Sequence, residues 1–212
     1  MPPACWPLFE LRIKTHDLTL RPMTESDLEQ VCRILPADVD MDPAATTYDG
    51  VDQASTRSII VCQSYWKAFG TWRPDAWRLN FMVYEGDSLV GAQELEGNDF
   101  VTLRTVDTAS FLVASARGRG LGKQMRRAVL TLAFRELGAR AAITSAYHDN
   151  AASLGVSTSI GYRPNGESFL ARGDGVDTLK HLRMTRAEWE ETEGQAAVKI
   201  EGFAACRPLF GL

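Results

Sequence analysis

The heptad Arg117-Gly118-Arg119-Gly120-Leu121-Gly122-Lys123 constrains this chain more than any other stretch. It lies between the apolar run Phe111, Leu112, Val113 and a segment in which Leu121, Met125, Ala128, Val129 and Leu132 recur at helical spacing. A strand that turns through glycines into a helix leaves the first helical N–H groups without intrahelical partners. The glycines let a ligand approach the backbone closely, and the helix dipole favours negative charge there. Such a turn is an anion cradle, and a pyrophosphate is its natural guest. Two rival phosphate motifs fail by residue. A dinucleotide fingerprint needs a glycine where Lys123 stands, and a P-loop needs one where Arg117 stands. Taken alone, the stretch also reads as a glycine-rich turn entering a surface helix. Arg117, Arg119, Lys123, Arg126 and Arg127 nevertheless gather here in a chain of net charge -4. A solvated helix face accounts for Arg126 and Arg127, and less well for the loop arginines.

The flanking pattern is that of an α/β domain, and 212 residues suffice for one such domain with a sizeable core. Leu18 to Arg21 alternates as a strand, and Thr24 to Asp27 caps a helix carrying Leu28, Val31, Ile34 and Leu35. Asp38 to Asp52 is polar and turn-rich. Gln53 to Phe69 predicts a second helix with Ile59, Ile60, Cys62 and Trp66 inward, followed by a loop over Thr71 to Trp77. Leu79–Tyr84 and Leu89–Leu95 flank Glu85-Gly86-Asp87 as a hairpin, and Thr105–Val113 is a third strand. After the glycine turn, Lys123, Arg126, Arg127, Arg135 and Glu136 can face water, and Gly138 stops the helix. Ala141–Tyr147 is a further strand. Asn150 or Asp149 caps a helix that closes at Gly161, and an antiparallel pair turns at Gly173 to Gly175.

Charge and hydropathy exclude some classes of function. A net charge of -4 provides no broad footprint for nucleic acid or an anionic membrane, so any phosphate site must be local. The N-terminus lacks a basic start followed by an apolar run, and no stretch approaches membrane-spanning length, which predicts a cytoplasmic protein. Cys5, Cys32, Cys62 and Cys206 are scattered without metal-site or redox spacing, so no metal is expected and the thiols read as idle.

Arg117, Gly120 and Gly122 fit Arg or Gln, two residues, Gly, one residue, Gly or Ala. The chain thereby resembles the GNAT superfamily of N-acyltransferases at its pyrophosphate loop. LTLRPMTESDLEQV resembles the opening of the RimJ and RimL branch, and Asp149 to Ser153 through Ile160, Gly161 and Tyr162 is similar to that branch's second cofactor motif. WPLFELRIKT and EGFAACRPLFG resemble an actinobacterial subgroup that includes a mycobacterial succinyltransferase. The resemblance implies a GNAT domain over 15–187 with extensions at 1–14 and 188–212, the latter packing on the domain or on a partner subunit, which suggests a homodimer. It implies a mixed, mostly antiparallel sheet, flanked by helices and splayed between the strands near Phe111 and Thr144. Acetyl-CoA or succinyl-CoA would be the cosubstrate, with pantetheine in the wedge against backbone of Leu112 and Val113. Its pyrophosphate would sit on Arg117, Gly118, Arg119, Gly120, Leu121, Gly122 and Lys123, with Asn150 and Ser153 also at the cofactor.

Direct transfer requires a neutral amine. Deprotonating a lysine-like amine at neutral pH costs about 4.6 kcal/mol, against roughly 1 kcal/mol for a chain-terminal amine. Glu94, Asp107 and His148 are the candidate bases by position. Glu94 reads equally as a solvated strand residue, and Asp149 reads as a helix cap rather than a base. The resemblance points to Ser153 for the leaving thiolate, with Tyr147 and Tyr162 as alternatives that also suit packing. Trp66, Trp72, Arg73, Asp75, Trp77 and Arg78 could wall the acceptor site. Arg73, Arg78 or Gln93 could meet a succinyl carboxylate. Competing functions are an acyl-CoA sensor without turnover and an aminoglycoside-type N-acetyltransferase drawing on the acidic stretch Asp38 to Asp52.

Overall fold

Alternation decides how the central strands bury themselves. In the computed structural model, which describes residues 5–41, 45–173, 175–193 and 197–212, strand β3 (Trp77–Glu85) turns Trp77, Leu79, Phe81 and Val83 into the main core. Arg78 and Asn80 on its opposite face stay half-buried. The predicted hairpin joins β3 to β4 (Ser88–Gly97). Gly86, at φ 57°, makes the turn that glycine tolerates without strain. The predicted loop over Thr71 to Trp77 ends one residue early. Trp77 is 4% exposed and opens β3, because Arg73 and Ala76 exchange backbone hydrogen bonds in a tight turn just before it.

Nine strands form one sheet in the order β7-β8-β6-β5-β4-β3-β2-β1-β9. The remaining strands are β1 (Arg12–Lys14), β2 (Leu18–Pro22), β5 (Thr105–Leu112), β6 (Ala141–Tyr147), β7 (Arg163–Arg172), β8 (Gly175–Thr185) and β9 (Lys199–Glu201). Every neighbouring pair is antiparallel except β5 and β6, which run parallel and pair only over Thr105–Asp107 and Ala141–Ile143. Beyond that point the two strands diverge, giving the splayed, mostly antiparallel sheet expected of a GNAT fold. Of the predicted turn at Gly173 to Gly175, Asp174 lies outside the described residues, as do Asp42, Pro43 and Ala44 of the polar stretch before the second helix.

Helices cover both faces. α1 (Leu28–Ile34) and α2 (Gln53–Gly70) pack on one face through Met23, Leu28, Val31, Tyr65 and Met82. The inward stripe of α2 is rotated from the predicted one. Tyr65 and Ala68 are buried, whereas Trp66 is 51% exposed and its indole N–H donates to Glu25 Oε1 at 3.1 Å. α3 (Phe100–Leu103) is a single turn before β5. α4 (Leu121–Thr131) lies on the other face, burying Leu121, Met125, Ala128 and Val129, and α5 (Ala151–Ser159) and α6 (Arg186–Glu193) complete the layer. Arg126, expected to face water, is instead 3% exposed.

The terminal segments belong to the same core. Leu8, Leu11 and Ile13 are buried with the main cluster, and β9 pairs with β1 at the sheet edge. A 3-10 segment, Phe203–Phe210, follows β9 and buries Phe203, Cys206 and Phe210. Phe210 stands edge-on to Trp77 at 4.9 Å and to Trp72 at 5.4 Å, and the Trp72 indole donates to Leu209 O at 2.9 Å. Gly202 makes the approach possible, since a Cβ there would stand 2.5 Å from Glu10 O. The tail therefore packs on its own domain, which removes the sequence argument that it seeks a partner subunit. Phe210→Ala should lower stability by about 3–5 kcal/mol, the usual cost of emptying a buried aromatic site. Urea denaturation measures it, and a loss below roughly 1 kcal/mol would show that the tail lies outside the cooperative core.

Candidate active site

The fork between β5 and β6 is the dominant feature of the sheet. The hydrogen bond from Val113 N to Val90 O, 2.9 Å, fixes which β5 groups face β4. By strand alternation the N–H groups of Ser110 and Leu112 then face the gap. At the apex the Thr108 amide donates to Asp107 Oδ1 at 2.6 Å, and Thr144 Oγ1 donates to Thr108 O at 3.0 Å. Beyond it Ala109 and Ser110 are exposed although they lie on an interior strand. The cleft is thus open in mid-sheet. Of the backbone groups assigned to pantetheine, Val113 N is taken by Val90, and Leu112 O accepts from Arg117 Nε at 3.0 Å. Only the Leu112 amide of that expected pair points into the gap.

At the mouth of the cleft the glycine turn enters α4. Gly118 and Gly120 hold φ 73° and 82°, and nothing lies within 4 Å of where a Cβ would stand at either. Gly120 is the N-cap and no side chain caps the helix, so no side chain covers the amides of Leu121 and Gly122, whereas the Lys123 amide, also expected at the pyrophosphate, donates to Gly120 O at 3.1 Å. Gly122 lies against Val156 and Leu112, bringing the turn up to α5. The loop arginines point elsewhere. Arg117 pairs with Asp38, with Nη2 2.8 Å from Oδ1, and Arg119 makes a two-pronged pair with Glu85 at 2.9 and 2.6 Å. Both pairs are solvent-exposed, and Lys123 is exposed.

The α5 end is organised differently from the expected arrangement. Asn150, not Asp149, caps α5, its Oδ1 accepting from Ser153 N at 3.0 Å. Asp149 instead joins Arg172, whose guanidinium also reaches Asp177 and Asp40 and stacks 4.2 Å over Tyr147. His148 has a partner that sequence did not reveal, Asp177, at 2.7 Å. Salt bridging to Arg172 holds the Asp177 carboxyl below its ordinary range. His148, Asp149 and Asp177 offer atoms close enough to hold an ion, but the Arg172 cation already occupies the centre of the group. Asp38 and Asp40 tie the segment after α1 to both arms of the fork, through Arg117 and Arg172.

Acidic groups converge on the face of the sheet under α2. The register aligns Arg78, Glu96 and Asp107 across β3, β4 and β5, with Asn80, Glu94 and Ala109 in the next row. Arg78 Nε lies 2.7 Å from Glu96 Oε2 and 3.6 Å from Glu94 Oε1, and its Nη1 donates to Ser64 Oγ at 3.2 Å. Burial pushes the Glu94 carboxyl up to about 7, with Glu96 and Asp107 adding to the rise and Arg78 opposing it. Asp107 rises to about 6, again chiefly by burial. Two of the four predicted catalytic residues, Glu94 and Asp107, therefore share one acidic patch. His148 and Ser153 lie at the C-terminal end of β6 and the start of α5.

Sequence missed Arg126 and Ser110 in the floor of the cleft, where Gln93 and Tyr162, named from sequence for other roles, also lie. Arg126 reaches Thr144 Oγ1 and Ser110 Oγ, each at 3.3 Å, while its Nε has no partner among the described residues. Gln93 is 1% exposed and gives its amide N–H groups to Glu94 O and Ala109 O, and Tyr162 is 2% exposed. A polar residue recurring on an apolar helix face was the available signal for Arg126, and it was assigned to solvent.

Comparison with known proteins matches this architecture. A family model described as an acetyltransferase (GNAT) domain matches residues 17–163. A structure described as "Probable acetyltransferase" superposes with TM-score 0.65 at 17% identity, covering 84% of this chain and 98% of its own. A chimera of Vibrio cholerae spermidine N-acetyltransferase SpeG and hSSAT gives 0.63 at 16% identity, covering 82% and 98%. Vibrio cholerae spermidine/spermine N-acetyltransferase SpeG with manganese ions gives 0.62 at 14%, covering 84% and 97%. At such identities the likeness is one of fold.

The raised carboxyls leave a mark on stability. Folded Glu94 and Asp107 retain protons that the unfolded chain releases, so their contribution is present at low pH and is lost as pH rises through about 6 and about 7. Thermal unfolding of Glu94→Gln should therefore show a smaller fall in Tm between about pH 5 and about pH 8 than the parent chain shows. An unchanged fall would place Glu94 in an ordinary solvated setting.

Proposed function

The chain belongs to the GNAT acetyltransferase family, an acyl-CoA-dependent N-acyltransferase family, and we propose that it transfers an acetyl group from acetyl-CoA directly to a primary amine, with Glu94 as general base. One observation carries this reading. The open fork between β5 and β6 runs from an uncapped, glycine-lined helix start to a face where a half-buried carboxyl, Glu94, has its pKa raised to about 7. The pyrophosphate would rest on amides of Gly118 to Lys123, with Arg117 and Arg119 reaching it only by leaving Asp38 and Glu85. Pantetheine would lie along β5 at the Leu112 amide, beside Asn150 and Ser153 on α5.

The amine would approach over the Arg78, Glu94, Glu96 and Asp107 patch, which favours a cationic acceptor. A carboxyl raised toward neutrality is a stronger base than an ordinary carboxylate, and the share that stays ionised near pH 7 can take a proton from an ammonium. Asp107 would support Glu94 by sharing the burial and charge of the patch. His148 lies with Asp177 at the other side of the fork, away from the acidic row.

Acetyl rather than succinyl transfer fits the committed side chains. Arg78 is engaged with Glu94 and Glu96, Arg73 Nε lies 3.1 Å from Asp75, and the Gln93 amide N–H groups are spent on backbone carbonyls. Three of the carboxylates proposed to draw an aminoglycoside are likewise in use, Asp38 by Arg117, Asp40 by Arg172 and Asp52 as the cap of α2. Placement in the RimJ and RimL branch rests on the β2 to α1 opening and the Asn150 cap, and a cytoplasmic setting is proposed with it. No described helix is long and apolar enough to cross a membrane.

Acetyl-CoA at about a hundred times its dissociation constant should stabilise the protein by about 2.7 kcal/mol. Gly120→Val, which puts a branched side chain at φ 82°, should abolish that shift. In a thiol-release assay with an amine panel, Glu94→Gln should lower kcat by about 10²- to 10⁴-fold. The parent kcat/KM should rise with pH and level off above about 7. A profile flat across that range would remove Glu94 from the role of base.

A further inference from the structure

Ser110 stands where a donor to the reacting group would stand, and the residues behind it are arranged to strengthen it. It is exposed on an interior strand because β6 has already diverged, and its N–H faces the same gap. Its register partner on β4 is Gln93, which is buried. Behind it, Arg126 projects from α4 with 3% exposure and gives a hydrogen bond to Ser110 Oγ at 3.3 Å. No carboxylate of the described residues forms an ion pair with Arg126, and its Nε has no partner among them. A guanidinium held in the interior is costly unless its field is used; here that field reaches Asp107 and Tyr162, and its hydrogen bonds go to Thr144 and Ser110.

The chemistry of the hydroxyl gives the direction. Serine has one donor and two acceptor sites. Arg126 fills an acceptor site, so the O–H remains to donate, and no acceptor for it is found among the described residues. A hydrogen bond accepted from a cation polarises the hydroxyl and makes it a stronger donor. We infer that Ser110 is a catalytic residue that donates to the thioester carbonyl oxygen of the bound acyl-CoA, with Arg126 as the positioning residue behind it. This rests on the acyl-CoA reading above.

During transfer the amine lone pair forms the C–N bond as the carbonyl π electrons move to oxygen. Glu94 has taken one proton from the ammonium before attack; when the pair returns, the C–S bond breaks with its electrons on sulfur, and the second nitrogen proton goes to the departing thiolate. Ser110 keeps its own proton throughout. It stabilises the oxygen while that atom carries charge, an interaction stronger in the transition state than in the bound substrate.

Steady-state kinetics with acetyl-CoA and a panel of spermidine, an aminoglycoside and a peptide amine test the assignment. Ser110→Ala should lower kcat about a hundredfold while KM for acetyl-CoA stays within about twofold, as expected for loss of one such donor. Ser110→Thr, which keeps the hydroxyl, should recover most of the rate. Adding Arg126→Gln to Ser110→Ala should cost nothing further, because Arg126 acts through the hydroxyl. The acetyl-CoA thermal shift of Ser110→Ala should match that of the parent. Full kcat in Ser110→Ala, a change confined to KM, or losses that multiply in the double variant would overturn the assignment and leave the acyltransferase intact. A parent chain that binds acetyl-CoA yet acylates none of the amines would remove both.

Discussion

The parallel contact between β5 and β6 is only three residues long, and the site follows from where it ends. At Asp107 and Ile143 the ladder stops, and the next amide, that of Thr108, turns to the Asp107 carboxylate instead of a strand. From there the main chain of β5 carries amides that no strand satisfies, an unfavourable arrangement in any sheet unless something else occupies the gap. The glycine turn and α5 lie at the wide end, and the acidic row lies at the narrow end. A ligand that is anionic at one end and reactive at the other suits such a tapered opening. The sheet is held together across the gap by antiparallel pairing on both sides, so the two halves need not meet again.

Charge is distributed with the same asymmetry. Glu94 and Glu96 share the cation Arg78 on one face, whereas Arg126 stands buried on the other and Asp107 feels both. Two carboxyls that resist ionisation and one guanidinium that cannot lose its charge lie on either side of the same strand. A reacting carbon seated in the gap, where β6 has left β5, could present its nitrogen toward one face and its oxygen toward the other. Around the mouth the opposite economy holds. Arg117 and Arg119 are each matched by one carboxylate at the surface, contacts that water and salt screen and that an incoming diphosphate can replace, whereas Arg172 is held by three.

Much of the architecture was legible because it depends on local pattern. The alternation in β3 and β4, the turn at Gly86 and the helical spacing after Gly122 each specify their own element. The glycine loop was legible for the same reason. Long-range contacts were not. Arg126 was taken as solvent-facing because its neighbours are basic, and only the divergence of β5 from β6 creates the polar space that receives it. Trp66 was placed inward on apolarity alone, yet the stripe of α2 is set by Tyr65 and Ala68. Asp149 and Asn150 are equivalent as caps in sequence. Arg172, on a hairpin far along the chain, draws Asp149 away and leaves the capping to Asn150.

The two ends of the polypeptide meet across one edge of the sheet, β9 lying on β1 and Phe210 closing over Trp72 and Trp77. Synthesis runs from the first of these segments to the second, so the edge closes only after everything between them has been made. Until Phe210 folds back, Trp72 and Trp77 lack the ring that stands edge-on to both, and the nascent chain carries an uncovered tryptophan-rich surface that a chaperone could engage.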